Sequence, residues 1–136
     1  MILGLDPSLR NFGWTLIRDD GHFLDKGTMK TDTKTMFVQR YTTLREGLRE
    51  IVQKVRADHP NEILRVGIES PIFNDLYSEG MYGLFLYSNE ALMLEKCDTV
   101  YLSPNQVKAH ASAFLNRPKG WKLSLIHISE PTRHRL

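Results

Sequence analysis

The sequence is poor in the groups that would tie it to oxidising compartments, membranes or thiolate metal centres. One cysteine, Cys97, stands among 136 residues, which excludes an internal disulfide and any cysteine-based zinc site. No run of about eighteen apolar residues occurs, so no membrane-spanning helix is expected. No basic–apolar–small leader opens the chain, and the expectation is an intracellular, cytoplasmic protein of a bacterial or phage-infected cell. Internal repeats and low-complexity segments are absent. So are a GxxxxGK[ST] loop, a GxSxG elbow and a HExxH helix, which removes P-loop, α/β-hydrolase and zincin chemistry. Acids are missing from one long stretch. Between Thr99 and Lys122 there is none, whereas Lys108, Arg117, Lys119 and Lys122 all fall there. A segment of one sign suits phosphate, or else it is a solvated basic face.

What is present is ordinary globular material: 41% hydrophobic and 25% charged residues, with a net charge of +2. The length suits one domain with a real core. The opening residues carry the first chemical signal. Ile2 to Leu5 is a short apolar run that predicts a buried strand and ends on Asp6. Pro7 lacks a backbone donor and biases Asp6 away from helical geometry, so the strand stops there. Ser8 to Gly13 reads as a polar link, and Trp14 to Ile17 resumes an apolar strand. Asp6 then either shapes the loop as an Asx-turn acid or meets a cation, a donor or a metal.

Phe23 to Met29 predicts a third strand, and Thr31-Asp32-Thr33 offers N-caps for a long helix. Its apolar positions Phe37, Tyr41, Leu44, Leu48, Ile51, Val52 and Val55 recur at helical spacing, and Asp58-His59-Pro60 ends it. Ile63 to Ile68 predicts a fourth strand, which also ends on an acid closely followed by proline, Glu69-Ser70-Pro71. The long helix is a suitable crossover to bring this strand parallel to the first. If the two are neighbours, Asp6 and Glu69 emerge side by side at the edge where α/β sheets bind ligands. Two adjacent carboxylates repel unless a cation lies between them, and hard divalent ions favour oxygen ligands.

Phe73 to Gly80 reads as a loop with Gly80 and Gly83 as hinges. Met81 to Lys96 follows as a helix apolar over more than one face, which suits a core element or a subunit contact around Phe85. Thr99 to Leu102 predicts a fifth strand. Ser103-Pro104-Asn105-Gln106 predicts a capped helix start. Cys97, His22, His59 and His110 have no evident chemical partner and are read as structural. Leu123 to Arg133 continues no pattern and resembles the conceptual translation of a transposase sequencing adapter. Residues 1–122 are therefore read as the domain and residues 123–136 as a non-native tail.

With both acids placed, the chain resembles the RuvC-type Holliday junction resolvases of the RNase H-like superfamily, phage-type members included. The likeness runs from Ile2 to about Lys122. It rests on Ile2-Leu3-Gly4-Leu5-Asp6-Pro7 with Gly13, on Val66-Gly67-Ile68-Glu69, and on Gln106-Val107-Lys108 with Lys119. It implies an α/β fold of RNase H-like type, a five-stranded mixed sheet flanked by helices, whose C-terminal acidic helix is missing. It also implies a structure-selective endonuclease that cuts four-way junction DNA as a homodimer, with two Mg2+ ions per site. Asp6 and Glu69 would be metal ligands, and Lys108 and Lys119 catalytic cations. Arg117, Lys122 and Phe73 would join Lys108 and Lys119 in contacting DNA. Ser8 stands where many members have glycine, and the aromatic expected three residues after the glutamate is displaced to Phe73. Lacking the late acids, the chain as it stands is expected to be inactive. Two other readings stay open: an RNase H-like RNA-processing nuclease, and a sugar-kinase- or actin-like ATP-binding protein. The latter would need a further glycine-rich phosphate loop, which the sequence lacks.

Overall fold

A computed structural model describes residues 1–70 and 79–103, with the Glu79 side chain left aside. Five strands and two helices follow in the order β1 (Ile2–Asp6), β2 (Asn11–Ile17), β3 (Phe23–Lys30), α1 (Phe37–Asp58), β4 (Arg65–Glu69), α2 (Glu79–Leu94) and β5 (Asp98–Leu102). The strands form one sheet in the order β3-β2-β1-β4-β5. β1 pairs antiparallel with β2 and β2 with β3, whereas β1–β4 and β4–β5 are parallel. The mixed sheet follows from connection length. Short links close hairpins among the first three strands, α1 then carries the chain across the sheet to β4 beside β1, and α2 carries it to β5 beside β4.

Burial supplies the cohesion. Leu3, Leu5, Phe12, Leu16, Val66 and Ile68 of the sheet join Tyr41, Leu44, Leu48, Val52 and Val55 of α1 and Leu84, Ala91 and Leu92 of α2 in one core. The helices pack closely because Gly83 has no side chain: a Cβ there would stand 2.5 Å from the Tyr41 ring. The Tyr41 hydroxyl donates to the Gly80 carbonyl at 2.9 Å. Both glycines thus lie inside α2 and serve close packing, rather than hinging a loop. α2 ends in a Schellman-type turn, with Cys97 N–H donating to Leu92 O, Lys96 N–H to Met93 O, and Lys96 at φ 53°.

Three boundaries differ from expectation. β2 starts at Asn11 instead of Trp14, because Gly13 pairs with Asp6 and Asn11 with Lys30, so the polar residues join the ladder. α1 starts at Phe37, well after the expected caps. Asp32 instead closes a local turn, its carboxylate taking the Lys34 N–H at 2.9 Å and its carbonyl the Thr35 N–H at 3.1 Å. The N-cap residue of α1, Met36, makes no side-chain capping bond. Phe37, expected on the buried stripe, is 53% exposed. β4 starts at Arg65, since the Ile63 carbonyl is taken by the Met1 amine at 3.1 Å. Phe85 lies edge-on to Tyr101, with ring centroids 6.0 Å apart, and its neighbour Leu86 is exposed. No helix among the described residues is long and apolar enough to cross a membrane.

Candidate active site

The two expected carboxylates meet at one edge of the sheet. β1 and β4 run parallel with Leu5 beside Ile68, so the next residues, Asp6 and Glu69, end neighbouring strands roughly 5 Å apart. Asp6 is exposed and Glu69 is half-buried. Gly13 faces Asp6 across the hairpin, and a Cβ there would lie 3.7 Å from the Asp6 Cβ. A side chain at position 13 would therefore be in ordinary van der Waals contact with the root of Asp6. On the other flank Glu69 pairs with Leu102 of β5, and Ser70 N–H donates to the Leu102 carbonyl at 2.8 Å, fixing the end of β4.

The electrostatics follow from this placement. The Glu69 carboxyl is pushed above the ordinary glutamate range, first by burial and then by the negative charge of Asp6. Both causes penalise its ionised form, and a cation set between the two groups would relieve both. The donor set, two hard oxygens groups of like charge at a strand-end edge, fits a divalent ion of the magnesium or manganese type. Among the described residues no cluster of three or more potential metal ligands occurs. Lys108, Arg117, Lys119, Lys122 and Phe73 lie outside the described residues.

Cys97 is half-buried. Its thiol is pushed up by burial, against the opposing charge of Arg56, so nothing activates it as a nucleophile. One residue near the edge escaped sequence reasoning. Arg40 in the first turn of α1 is only 7% exposed, and its Nε donates to Thr31 Oγ1 at 2.9 Å. Its signal was there to read, because positions 40, 44 and 48 share one face of α1 and a charge on that stripe is anomalous.

No family model matches the sequence. The crossover junction endodeoxyribonuclease RuvC of Rhizobium johnstonii is 37% identical over 60 residues, 42% of this chain and 36% of that protein. The RuvC of Ralstonia nicotianae is 37% identical over 60 residues, 42% of this chain and 33% of that protein. The matched stretch thus spans about a third of the length of these relatives. The fold agrees over a longer span: a Thermus thermophilus RuvC structure superposes with a TM-score of 0.67 at 15% identity, covering 96% of this chain and 78% of that one. The chain is thus similar to RuvC in about a third of that protein's sequence and in its fold. Its sheet and helices are RNase H-like, as the resemblance implied. The T. thermophilus RuvC solved with a Holliday junction substrate also aligns, with a TM-score of 0.62 at 13% identity, covering 89% of this chain and 82% of that one.

Proposed function

We propose that this chain is the nuclease domain of a RuvC-type Holliday junction resolvase that hydrolyses phosphodiesters with divalent metal ions. The observation that carries the reading is the pair of carboxylates on adjacent parallel strands, one of them raised above its ordinary range by burial and then by the charge of the other. That arrangement costs stability in the absence of a cation, and a binding site is a physical reason to keep it. The names of the relatives supply the substrate class: both are crossover junction endodeoxyribonucleases.

In this reading Asp6 and Glu69 would hold Mg2+, two ions in the complete site, and the chemistry such ions supply when bound is activation of water and stabilisation of a departing oxygen. The protein's own share is positional. β1 and β4 fix the two carboxylates by parallel pairing, and the Ser70–Leu102 bond anchors the end of β4. Lys108 and Lys119 would neutralise charge gathering on the phosphate, and Arg117, Lys122 and Phe73 would add DNA contacts. A symmetric homodimer would present two such sites to the two-fold junction, with α2 around Phe85 as its contact.

Two carboxylates supply few oxygens for two ions, so efficient nicking is expected from a chain in which further oxygen ligands join Asp6 and Glu69. In such a chain, Asp6→Asn should bind four-way junction DNA normally and lose Mg2+-dependent nicking. In the 136-residue chain, Mn2+ binding followed by electron paramagnetic resonance should weaken in Asp6→Asn and in Glu69→Gln. Undiminished nicking and Mn2+ binding in these variants would refute the reading.

A further inference from the structure

The edge that carries Asp6 and Glu69 also gathers cations, on two segments joined by hydrogen bonds. The first segment is the β1–β2 link with exposed Arg10. The second is the β3–α1 connection with exposed Lys30 and Lys34. Thr31 ties them together. Its N–H donates to the Arg10 carbonyl at 3.3 Å, its hydroxyl donates to the Leu9 carbonyl, and the same hydroxyl oxygen accepts from buried Arg40. Arg40 also lies over the Phe37 ring at 5.8 Å, so both segments are fixed to the first turn of α1.

The register places this cluster beside the carboxylates. Asp6 pairs with Gly13 and Gly13 with Thr28, while Asn11 and Lys30 pair two residues further toward the same end. Strand spacing and rise then set Lys30 roughly 12 Å from Asp6, within the reach of a few nucleotides. These cations differ from the paired arginines of α1 and of β4, and they share with Arg18, Lys26 and Lys54 the lack of a salt bridge among the described residues. Arg45, Arg49 and Arg65 each hold a carboxylate, whereas Arg10, Lys30 and Lys34 have no ion pair among the described residues. The acids near them are Asp6 at the site and Asp32, whose carboxylate accepts the Lys34 N–H. Exposed cations without carboxylate partners, held on a rigid frame, suit the backbone of an anionic polymer. Phe37 adds an exposed aromatic face in the same place, stacked on Tyr41 at 6.0 Å, as a surface for an unpaired base.

We propose that Arg10, Lys30 and Lys34 form a phosphate-contacting track that holds a DNA strand beside the Asp6–Glu69 edge. The proposal rests on the nuclease reading and deepens it by naming a docking surface. Each contact made on binding releases counterions and adds about 0.9 to the slope of log affinity against log salt.

The test measures binding of a labelled four-way junction by the 136-residue chain across KCl concentrations, in EDTA to prevent cleavage. Arg10→Gln, Lys30→Gln and Lys34→Gln together should flatten the slope by about two to three units, and each alone by about 0.9. A control with the same charge loss at the opposite end of the sheet, Arg18→Gln, Lys54→Gln and Lys96→Gln, should leave the slope unchanged. An unchanged slope in the first triple variant and its single variants overturns the track. An equal flattening in the control overturns it too, because net charge alone would then account for the effect. Failure of the unaltered chain to bind any junction or duplex DNA would instead remove the nuclease reading, and the track with it.

Discussion

The two ends of β1 treat charge in opposite ways. At its start the Met1 amine donates to Asp19 Oδ1 at 2.6 Å and to the Ile63 carbonyl at 3.1 Å. Asp19 is held below the ordinary aspartate range, chiefly by that hydrogen bond and by the amine's charge. At the other end Asp6 meets Glu69, and the Glu69 carboxyl is pushed up by burial and by its neighbour's charge. One strand of five residues thus carries a neutralised end and a strained end. The first arrangement stabilises the fold; the second costs stability and is what a cation site requires before it is filled.

Removing the strained charges should give the largest effect. In a nicking-competent chain, Asp6→Asn or Glu69→Gln should lower the cleavage rate by about a thousandfold or more, since a lost metal ligand removes several kcal/mol of transition-state stabilisation. Single-turnover cleavage of a labelled junction in Mg2+ reads this directly. A loss of under tenfold in both variants would make the two ends of β1 functionally alike.

Next comes the core that holds the two ends in one frame. Leu48 is fully buried on α1 beneath the sheet, and Leu48→Ala should cost about 2–5 kcal/mol of unfolding free energy. Urea titration measures it, and a cost below about 1 kcal/mol would mean that the site edge does not depend on α1 packing. This part of the molecule was legible in the sequence. The spacing of Tyr41, Leu44, Leu48, Val52 and Val55 states a buried helix face, and the two apolar runs ending on Asp6 and Glu69 state two strands. Their adjacency was reachable because a long helix between strands implies a parallel crossover. The start of α1 was not legible. Thr31 and Asp32 look like caps, yet their groups are spent on Leu9, Arg10, Lys34 and Thr35, and only the three-dimensional approach of the β1–β2 link decides that. The glycines misled for a related reason: Gly83 reads as a hinge in one dimension, whereas its role is to admit the Tyr41 ring.

A smaller effect separates stability from activity at the strained end. Glu69 has a raised value in the fold relative to the ordinary 4.5. Its favourable contribution is therefore complete below about pH 4.5 and is lost as pH rises through the folded value. Without divalent ions, Glu69→Gln should be more stable than the unaltered chain at pH 7 and should show no such loss between pH 4 and 7. Adding Mg2+ or Mn2+ should narrow the gap at pH 7 by stabilising the unaltered chain alone. Denaturant midpoints with and without metal decide this. A variant less stable than the parent at pH 7 in EDTA would mean that the Glu69 anion is welcomed by the fold, and the contrast between the two ends would disappear.

The smallest effect belongs to the neutralised end, and its sign is opposite. Asp19 is depressed below 3.8, so its contribution is present above that value and fades as pH falls through the folded one. Its side chain is 71% exposed, and water and salt screen such a pair strongly. Asp19→Asn should therefore lower the thermal midpoint only slightly at pH 7, less so in high salt, and not at all near pH 2. Mn2+ binding and junction affinity should not change, because the substitution lies at the far end of β1 from Asp6. Thermal melts at the two pH values, paired with a Mn2+ titration, sharpen the comparison at its weakest point. A stability gain at pH 7 would show that the Met1 amine finds an equal partner in the Ile63 carbonyl alone, and a change in Mn2+ affinity would show that β1 couples its two ends.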